Sequence, residues 1–145
     1  MRTFSKAFCL AGIRLGYLIA GKEYLDLIRR IRNTKEINAI SQIAAITALE
    51  NWDFYENYIK EVQTAKIFFE EELKKMNFEV FGKFGNFVMI KVQNVTEFIN
   101  YLETHYIYIR DRSYVPQLEN FVRITVGTKD QMQKVLTVIS SFLKS

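Results

Sequence analysis

Between Lys22 and Arg32 the apolar residues Tyr24, Leu25, Leu27, Ile28 and Ile31 recur at helical spacing, with Arg29, Arg30 and Arg32 largely opposite, so an amphipathic helix is expected there. Ser41 is placed to cap a second helix, Gln42 to Glu50, whose Ile43, Ala44, Ala45, Ile46 and Ala48 make it apolar nearly all round and suited to burial. A longer helix follows from about Asp53 to Met76, with Phe54, Tyr55, Tyr58, Ile59, Val62, Ala65, Phe68, Phe69 and Leu73 as its stripe. Its Glu70-Glu71-Glu72 and Lys74-Lys75 read as a solvated face. After Asn77 the period shortens. Phe78 to Phe81 and Phe87 to Val92 read as two strands joined through Gly82 to Gly85. Helix returns at Val95 to Leu102 with Thr96 as cap, then a short strand at Ile107 to Ile109, a loop from Asp111 to Asn120, a strand at Phe121 to Val126, and a last helix capped by Thr128.

The order strand, strand, helix, strand, strand, helix from about Glu79 onward predicts an α+β module with helices on one face of a small sheet. The opening segment differs. Leu15 to Ala20 is apolar on both faces, the pattern of a central strand covered from both sides, and reads as a piece of a larger sheet. No repeat and no Pro-, Gly- or Ser-rich linker interrupts the chain.

With 145 residues, 49% hydrophobic and 25% charged, the chain is long enough to bury a core without disulfides, and low-complexity disorder is excluded. A single cysteine, Cys9, and a single histidine, His105, leave no disulfide framework and no metal-ligand cluster, and a reducing cytoplasm fits best. His105, at a helix end, reads as a surface or capping residue. The net charge of +4 suits an anionic small ligand and is too weak to demand nucleic acid. Aromatic strands with nearby lysines, such as Phe84, Phe87 and Tyr108, come without an RNA-binding signature. No apolar run reaches the roughly eighteen residues of a membrane span, since Arg14 and Lys22 bound the longest early candidate.

The chemistry concentrates at Arg2-Thr3-Phe4-Ser5-Lys6-Ala7-Phe8-Cys9-Leu10-Ala11-Gly12-Ile13-Arg14-Leu15-Gly16-Tyr17. An amine flanked by hydroxyls, with an arginine in a glycine-bounded turn, can bind a phosphorylated aldehyde: the amine makes a Schiff base, and hydroxyls and guanidinium take a phosphate dianion. A solvated Lys6 and a surface Arg14 account for the same residues on spacing alone.

This run resembles the cofactor-lysine motif of pyridoxal-phosphate-dependent aminotransferases of the aspartate aminotransferase superfamily, most closely the histidinol-phosphate aminotransferase branch. Thr3, Ser5, Lys6, Ala11, Gly12, Arg14 and Gly16 occupy the motif positions Ser/Thr-x-Ser-Lys-x-x-x-x-Ala-Gly-x-Arg-x-Gly. The resemblance implies that Lys6 joins pyridoxal 5'-phosphate through a Schiff base and carries the proton, and that Thr3, Ser5 and Arg14 hold the cofactor phosphate. Cys9 stands where small residues, often glycine, are usual, and is expected as tolerated packing. The tail, Tyr108 to Tyr114 and Leu118 to Thr128, is similar to the end of the same branch. There Arg123 would clamp the substrate carboxylate, Arg110 would hold the anionic end of a phosphorylated amino acid, and Asn86 would lie near the substrate. On the residues alone, Arg110 and Arg112 could instead pair with Asp111 or Glu119, and Asn86 could simply be a turn residue.

The resemblance implies an α/β fold class with an α+β small domain, namely the C-terminal part of a fold-type-I enzyme: 1–76 as large-domain remnant plus interdomain helices, 77–145 as the small domain. The implied function is transamination between an amino acid or its phosphate and a 2-oxo acid, 2-oxoglutarate, in a cytoplasmic homodimer with no nucleic acid, membrane or metal partner. A phospho-amino-acid decarboxylase of the same superfamily shares this machinery. Upstream of the lysine motif, family members carry the aspartate and the aromatic that hold the cofactor ring. The chain is therefore expected to be a fragment and inactive alone, or a remnant with a binding role.

Overall fold

The computed structural model describes residues 1–31 and 37–144. Arg32, expected to close the first helix, and Ser145, at the end of the last domain, lie outside the described residues. Two compact units form, Met1–Ile59 and Lys60–Ser145.

In the first unit, β1 (Arg2–Thr3) pairs antiparallel with β2 (Gly16–Tyr17), Thr3 facing Gly16. The strands approach so closely that a Cβ on Gly16 would lie 2.7 Å from the Arg2 carbonyl oxygen, so only glycine fits. Between them the chain makes a 3-10 turn (Ala11–Ile13) and folds Phe4 and Phe8 inward, where they meet Ala45 and Ala48 of α2 (Ala39–Glu50). Ser41 Oγ, buried among them, donates to the Ile13 carbonyl at 2.8 Å and ties α2 to the turn. Phe8 also packs against Tyr55, ring centroids 5.0 Å apart.

Several expectations change here. The two-sided strand Leu15 to Ala20 shrinks to Gly16–Tyr17, because its only partner in the described residues is two residues long, and Ile19 is left 82% exposed. Helix α2 begins earlier than expected: Asn38, not Ser41, is its cap and accepts from the Ser41 N–H. Only its small-residue edge, Ser41, Ala45 and Ala48, is buried, while Ile40, Ile43, Ile46 and Leu49 face outward. Helix α1 (Lys22–Ile31) keeps the expected amphipathic pattern, but Tyr24, Leu27, Ile28 and Ile31 are exposed.

Helix α3 (Trp52–Lys75) runs across the boundary between the units. Asn77, at φ 65°, stops it: the Phe78 N–H bonds back to the Leu73 carbonyl and the Asn77 N–H to that of Lys74, a Schellman-type ending suited to asparagine. Of the charged run near its end, Glu71, Lys74 and Lys75 are exposed as expected, but Glu70 is half-buried.

The second unit is a four-stranded antiparallel sheet in the order β3 (Val80–Phe81), β4 (Phe87–Lys91), β6 (Phe121–Thr125), β5 (Arg110–Asp111). Strict alternation sends Val88, Ile90, Val122 and Ile124 to one face. That face is buried with Phe98 and Leu102 of α4 (Val95–Thr104), Leu136 and Ile139 of α5 (Lys129–Phe142), and Phe69 and Leu73 of α3. The other face carries Phe87, Met89 and Arg123. Thr128 caps α5 as expected, in a reciprocal capping box with Gln131. Asn94 rather than Thr96 caps α4, since its side chain is the one that reaches the Glu97 N–H. The strand expected at Ile107 to Ile109 forms instead at Arg110–Asp111. Tyr106 at φ 60° ends α4 and the chain needs further residues to reach β6. His105 sits at the α4 C-terminus, as expected of a capping residue.

Candidate functional site

The Lys6 motif forms a loop closed by the β1–β2 pair. Thr3 Oγ1 donates to Ser5 Oγ at 2.9 Å and accepts from the Ser5 N–H at 3.1 Å, so the Ser5 hydroxyl hydrogen stays free to point outward. Thr3, Ser5 and Arg14 line one open hollow of about 480 Å³ together with Arg2 and Tyr17. Arg14 is held by its backbone. It adopts the left-handed conformation at φ 53°, its N–H bonding to the Ala11 carbonyl at 3.4 Å, and one Nη1 hydrogen reaches the same oxygen at 3.5 Å. A non-glycine residue in that region carries strain of about 1–3 kcal/mol, a cost that recurs at binding loops. The Thr3 and Ser5 hydroxyls and the Arg14 guanidinium, with Arg2 and Tyr17 beside them and no carboxylate lining the hollow, fit a phosphate dianion.

Lys6 follows Ser5 and is exposed. Its carbonyl accepts from the Cys9 N–H, and its side chain is not among those lining the hollow. Cys9 is also left-handed, at φ 55°, and exposed. Its tolerance is a matter of backbone rather than packing, and the left-handed turn is what glycine would suit there.

In the second unit, Arg123 of β6 stands directly opposite Arg110 of β5 in the antiparallel register, and opposite Met89 of β4 on its other side. The Arg123 guanidinium lies over the Phe87 ring, 5.4 Å from its centroid, and its Nε is buried without a hydrogen-bond partner. Neither Arg110 nor Arg112 takes the surface pairing with Asp111 or Glu119 open to it on sequence. Asp111 instead accepts from the Ser113 hydroxyl and N–H, Glu119 from the Gln117 N–H, and Arg112 donates to the Tyr114 hydroxyl. The Ser113 bonds hold the Asp111 carboxyl below the usual carboxylate range. Two like charges facing across a strand pair repel unless something anionic lies between them. Asn86 occupies the turn before β4, where its carbonyl accepts from the Val126 N–H at 2.9 Å. Phe87 and Tyr17 were not singled out for these sites. Phe87 alternates with buried Val88 and Ile90, which is the signal that places it on the arginine-bearing face.

Residues 1–139 match the sequence profile of aminotransferase class I and II. The chain belongs to that family. A dihydroxyacetone phosphate transaminase of Campylobacter jejuni is 38% identical over 147 residues, covering 99% of this chain and 40% of that protein. A histidinol-phosphate aminotransferase of Cytophaga hutchinsonii is 31% identical over 144 residues, covering 98% of this chain and 41% of its own. Among solved structures, a histidinol-phosphate aminotransferase from Sinorhizobium meliloti in complex with pyridoxal 5'-phosphate superposes with a TM-score of 0.76 at 25% identity, covering 97% of this chain and 40% of that one. L-threonine-O-3-phosphate decarboxylase from Porphyromonas gingivalis gives 0.83 at 26% identity, covering 99% and 46%. The chain thus spans about two fifths of the length of the curated relatives it matches. The fold is the α/β fold of the fold-type-I enzymes, in part, and the cofactor of the family is pyridoxal 5'-phosphate. Among the described residues no helix is long and apolar enough to cross a membrane.

Proposed function

We propose that this chain carries the cofactor-lysine loop and the substrate-anion strands of an aminotransferase acting on a phosphorylated amino compound, with 2-oxoglutarate as the oxo-acid partner. The observation that carries the reading is the gathering of Thr3, Ser5 and Arg14 on one hollow, one residue from Lys6. Thr3, Ser5 and Arg14 hold the cofactor's phosphate. Lys6 Nζ is the amine that tethers the cofactor and moves the proton at the substrate α-carbon. When bound, pyridoxal phosphate supplies the electron sink for that carbon. Arg123 binds the substrate carboxylate, and Arg110, across the strand pair, the phosphate end, with Asn86 close to the substrate. Three relatives named for phosphate monoesters, the dihydroxyacetone phosphate transaminase, the histidinol-phosphate aminotransferase and the L-threonine-O-3-phosphate decarboxylase, support that substrate class. Residues 1–76 belong to the large domain and 77–145 to the small one, and the enzyme works as a cytoplasmic homodimer.

Incubation with pyridoxal phosphate, borohydride reduction and peptide mapping tests this. Label concentrated on Lys6 and diminished by Arg14→Ala is the expected result. Label spread evenly over the lysines, unchanged by Arg14→Ala, overturns it. The likeness to L-threonine-O-3-phosphate decarboxylase favours a second reading, in which the same residues serve decarboxylation. Carbon dioxide rather than an oxo acid released from a phospho-amino acid by the full-length protein would select it.

A further inference from the structure

Lys66 projects from α3 within the second unit, with only 12% of its side chain exposed. Its Nζ donates to the carbonyls of Gly82 and of Gly85, the latter at 3.0 Å, and lies 3.8 Å from Glu70 Oε1, which is itself buried and takes no hydrogen bond. A lysine gains little by leaving water unless each of its three donors is met. Here two are spent on one turn, the turn that joins β3 to β4. Gly85 of that turn, at φ 80°, faces the Phe87 ring closely enough that a Cβ added to it would lie 3.0 Å from Cε1. Phe87 carries the Arg123 guanidinium on its face, and the next carbonyl back, that of Asn86, is pinned by the Val126 N–H. A run of neighbours thus leads from Lys66 through Gly85 and Phe87 to Arg123.

We propose that Lys66 is a positioning residue: by clamping the Gly82–Gly85 turn it fixes the Phe87 ring, and thereby aims Arg123 at its anion. The proposal rests on the reading of Arg123 as an anion-binding residue and extends it to a lysine that touches no substrate. Without the clamp the turn is held by the β3–β4 pairing and the Asn86–Val126 tie at its ends, and the ring under Arg123 loses its backing.

The test uses the isotopically labelled full chain and follows the Arg123 Nε–Hε NMR cross-peak, with succinate as the carboxylate probe. Lys66→Met removes the donors and keeps the stem. Lys66→Met combined with Glu70→Met also removes the carboxylate that would be left buried and unpaired. Leu136→Ala, in the α5 core of the same unit, is the control for a general loss of stability. Both Lys66 variants are expected to displace the Arg123 cross-peak and to weaken succinate binding about tenfold, the coupling typical of side chains in one contact network. Leu136→Ala should leave both unchanged. An unmoved cross-peak in the two Lys66 variants, or an equal displacement in Leu136→Ala, overturns the positioning role. A wild-type cross-peak that ignores succinate overturns the anion-binding reading instead, and the probe-free cross-peak of the Lys66 variants still decides the question of the clamp.

Discussion

Arg110 and Arg123 face each other across β5 and β6 with no carboxylate between them among the described residues, which gives Arg110→Thr an unusual expected sign. Directly opposed like charges on a strand pair cost about 0.2–1 kcal/mol. Two unit charges about 5 Å apart repel by roughly 0.8 kcal/mol in water, the appropriate medium for the exposed Arg110, and by several times that where the dielectric is lower, as around the half-buried Arg123. Removing Arg110 should therefore stabilise the second unit by about 0.5–1 kcal/mol, helped by the strand preference of threonine. The gain should fade at high salt, where the screening length drops to about 3 Å at 1 M. A phosphorylated amino acid such as phosphoserine reverses the order. At a hundred times its dissociation constant it adds about 2.7 kcal/mol to the wild type and little to the variant. Urea denaturation followed at the Val122 amide, buried in β6, reads the second unit alone. Lower stability of Arg110→Thr at low salt, or equal stabilisation of both proteins by phosphoserine, would refute the reasoning.

Cys9→Gly should stabilise the first unit by about 0.5 kcal/mol, relief of left-handed strain outweighing the extra chain entropy of glycine, and the fluorescence of the single tryptophan, Trp52, against urea would show it. Thr128→Ala removes the acceptor of the Gln131 N–H and should cost the second unit about 1 kcal/mol by the same Val122 measurement. For Asp111 the sign follows from its lowered carboxyl. The stability it contributes through Ser113 is present above the ordinary carboxylate value, about pH 4, and is lost as pH falls through the lower folded value. Asp111→Asn should therefore differ from wild type at neutral pH and converge with it in stronger acid, which acid-range urea titrations check.

Where one local rule acted alone, the sequence was a sufficient guide. The alternation of Phe87 to Lys91 and Phe121 to Thr125, the glycine turn between β3 and β4, and the Thr128 capping box each follow from residues within a few positions. Where two candidates competed, it was not. Asn38 and Ser41, or Asn94 and Thr96, are all acceptable caps on paper, and the asparagines are the ones whose side chains accept from the Ser41 and Glu97 N–H groups. The place of β5 depended on how Tyr106 leaves α4, and with it the register that sets Arg110 against Arg123, neither of which local propensity encodes. In the Lys6 loop the residue types were legible, whereas the reason for Gly16, the close approach of the Arg2 carbonyl, needed the strand pair to exist. Lys66 was invisible, because a lysine on a helix reads as solvated until the turn above it is in place.

What separates the candidate-site cations from the ion-paired ones is how each is held. Arg29, Lys75 and Lys91 meet Asp26, Glu72 and Glu79 at the surface, pairs that contribute little and leave no charge to spare for a ligand. Arg14, Arg110 and Arg123 have no acid partner among the described residues. The first is fixed by a strained backbone turn, the second by strand register, the third by an aromatic face and a clamped loop behind it. Holding a guanidinium without neutralising it costs stability, and the return is a charge that remains available to an anion. A surface ion-pair network would have placed carboxylates at these three positions. In the second unit Asp111 and Glu119 are instead occupied with Ser113 and Gln117, so these acids are satisfied without quenching Arg110 or Arg123.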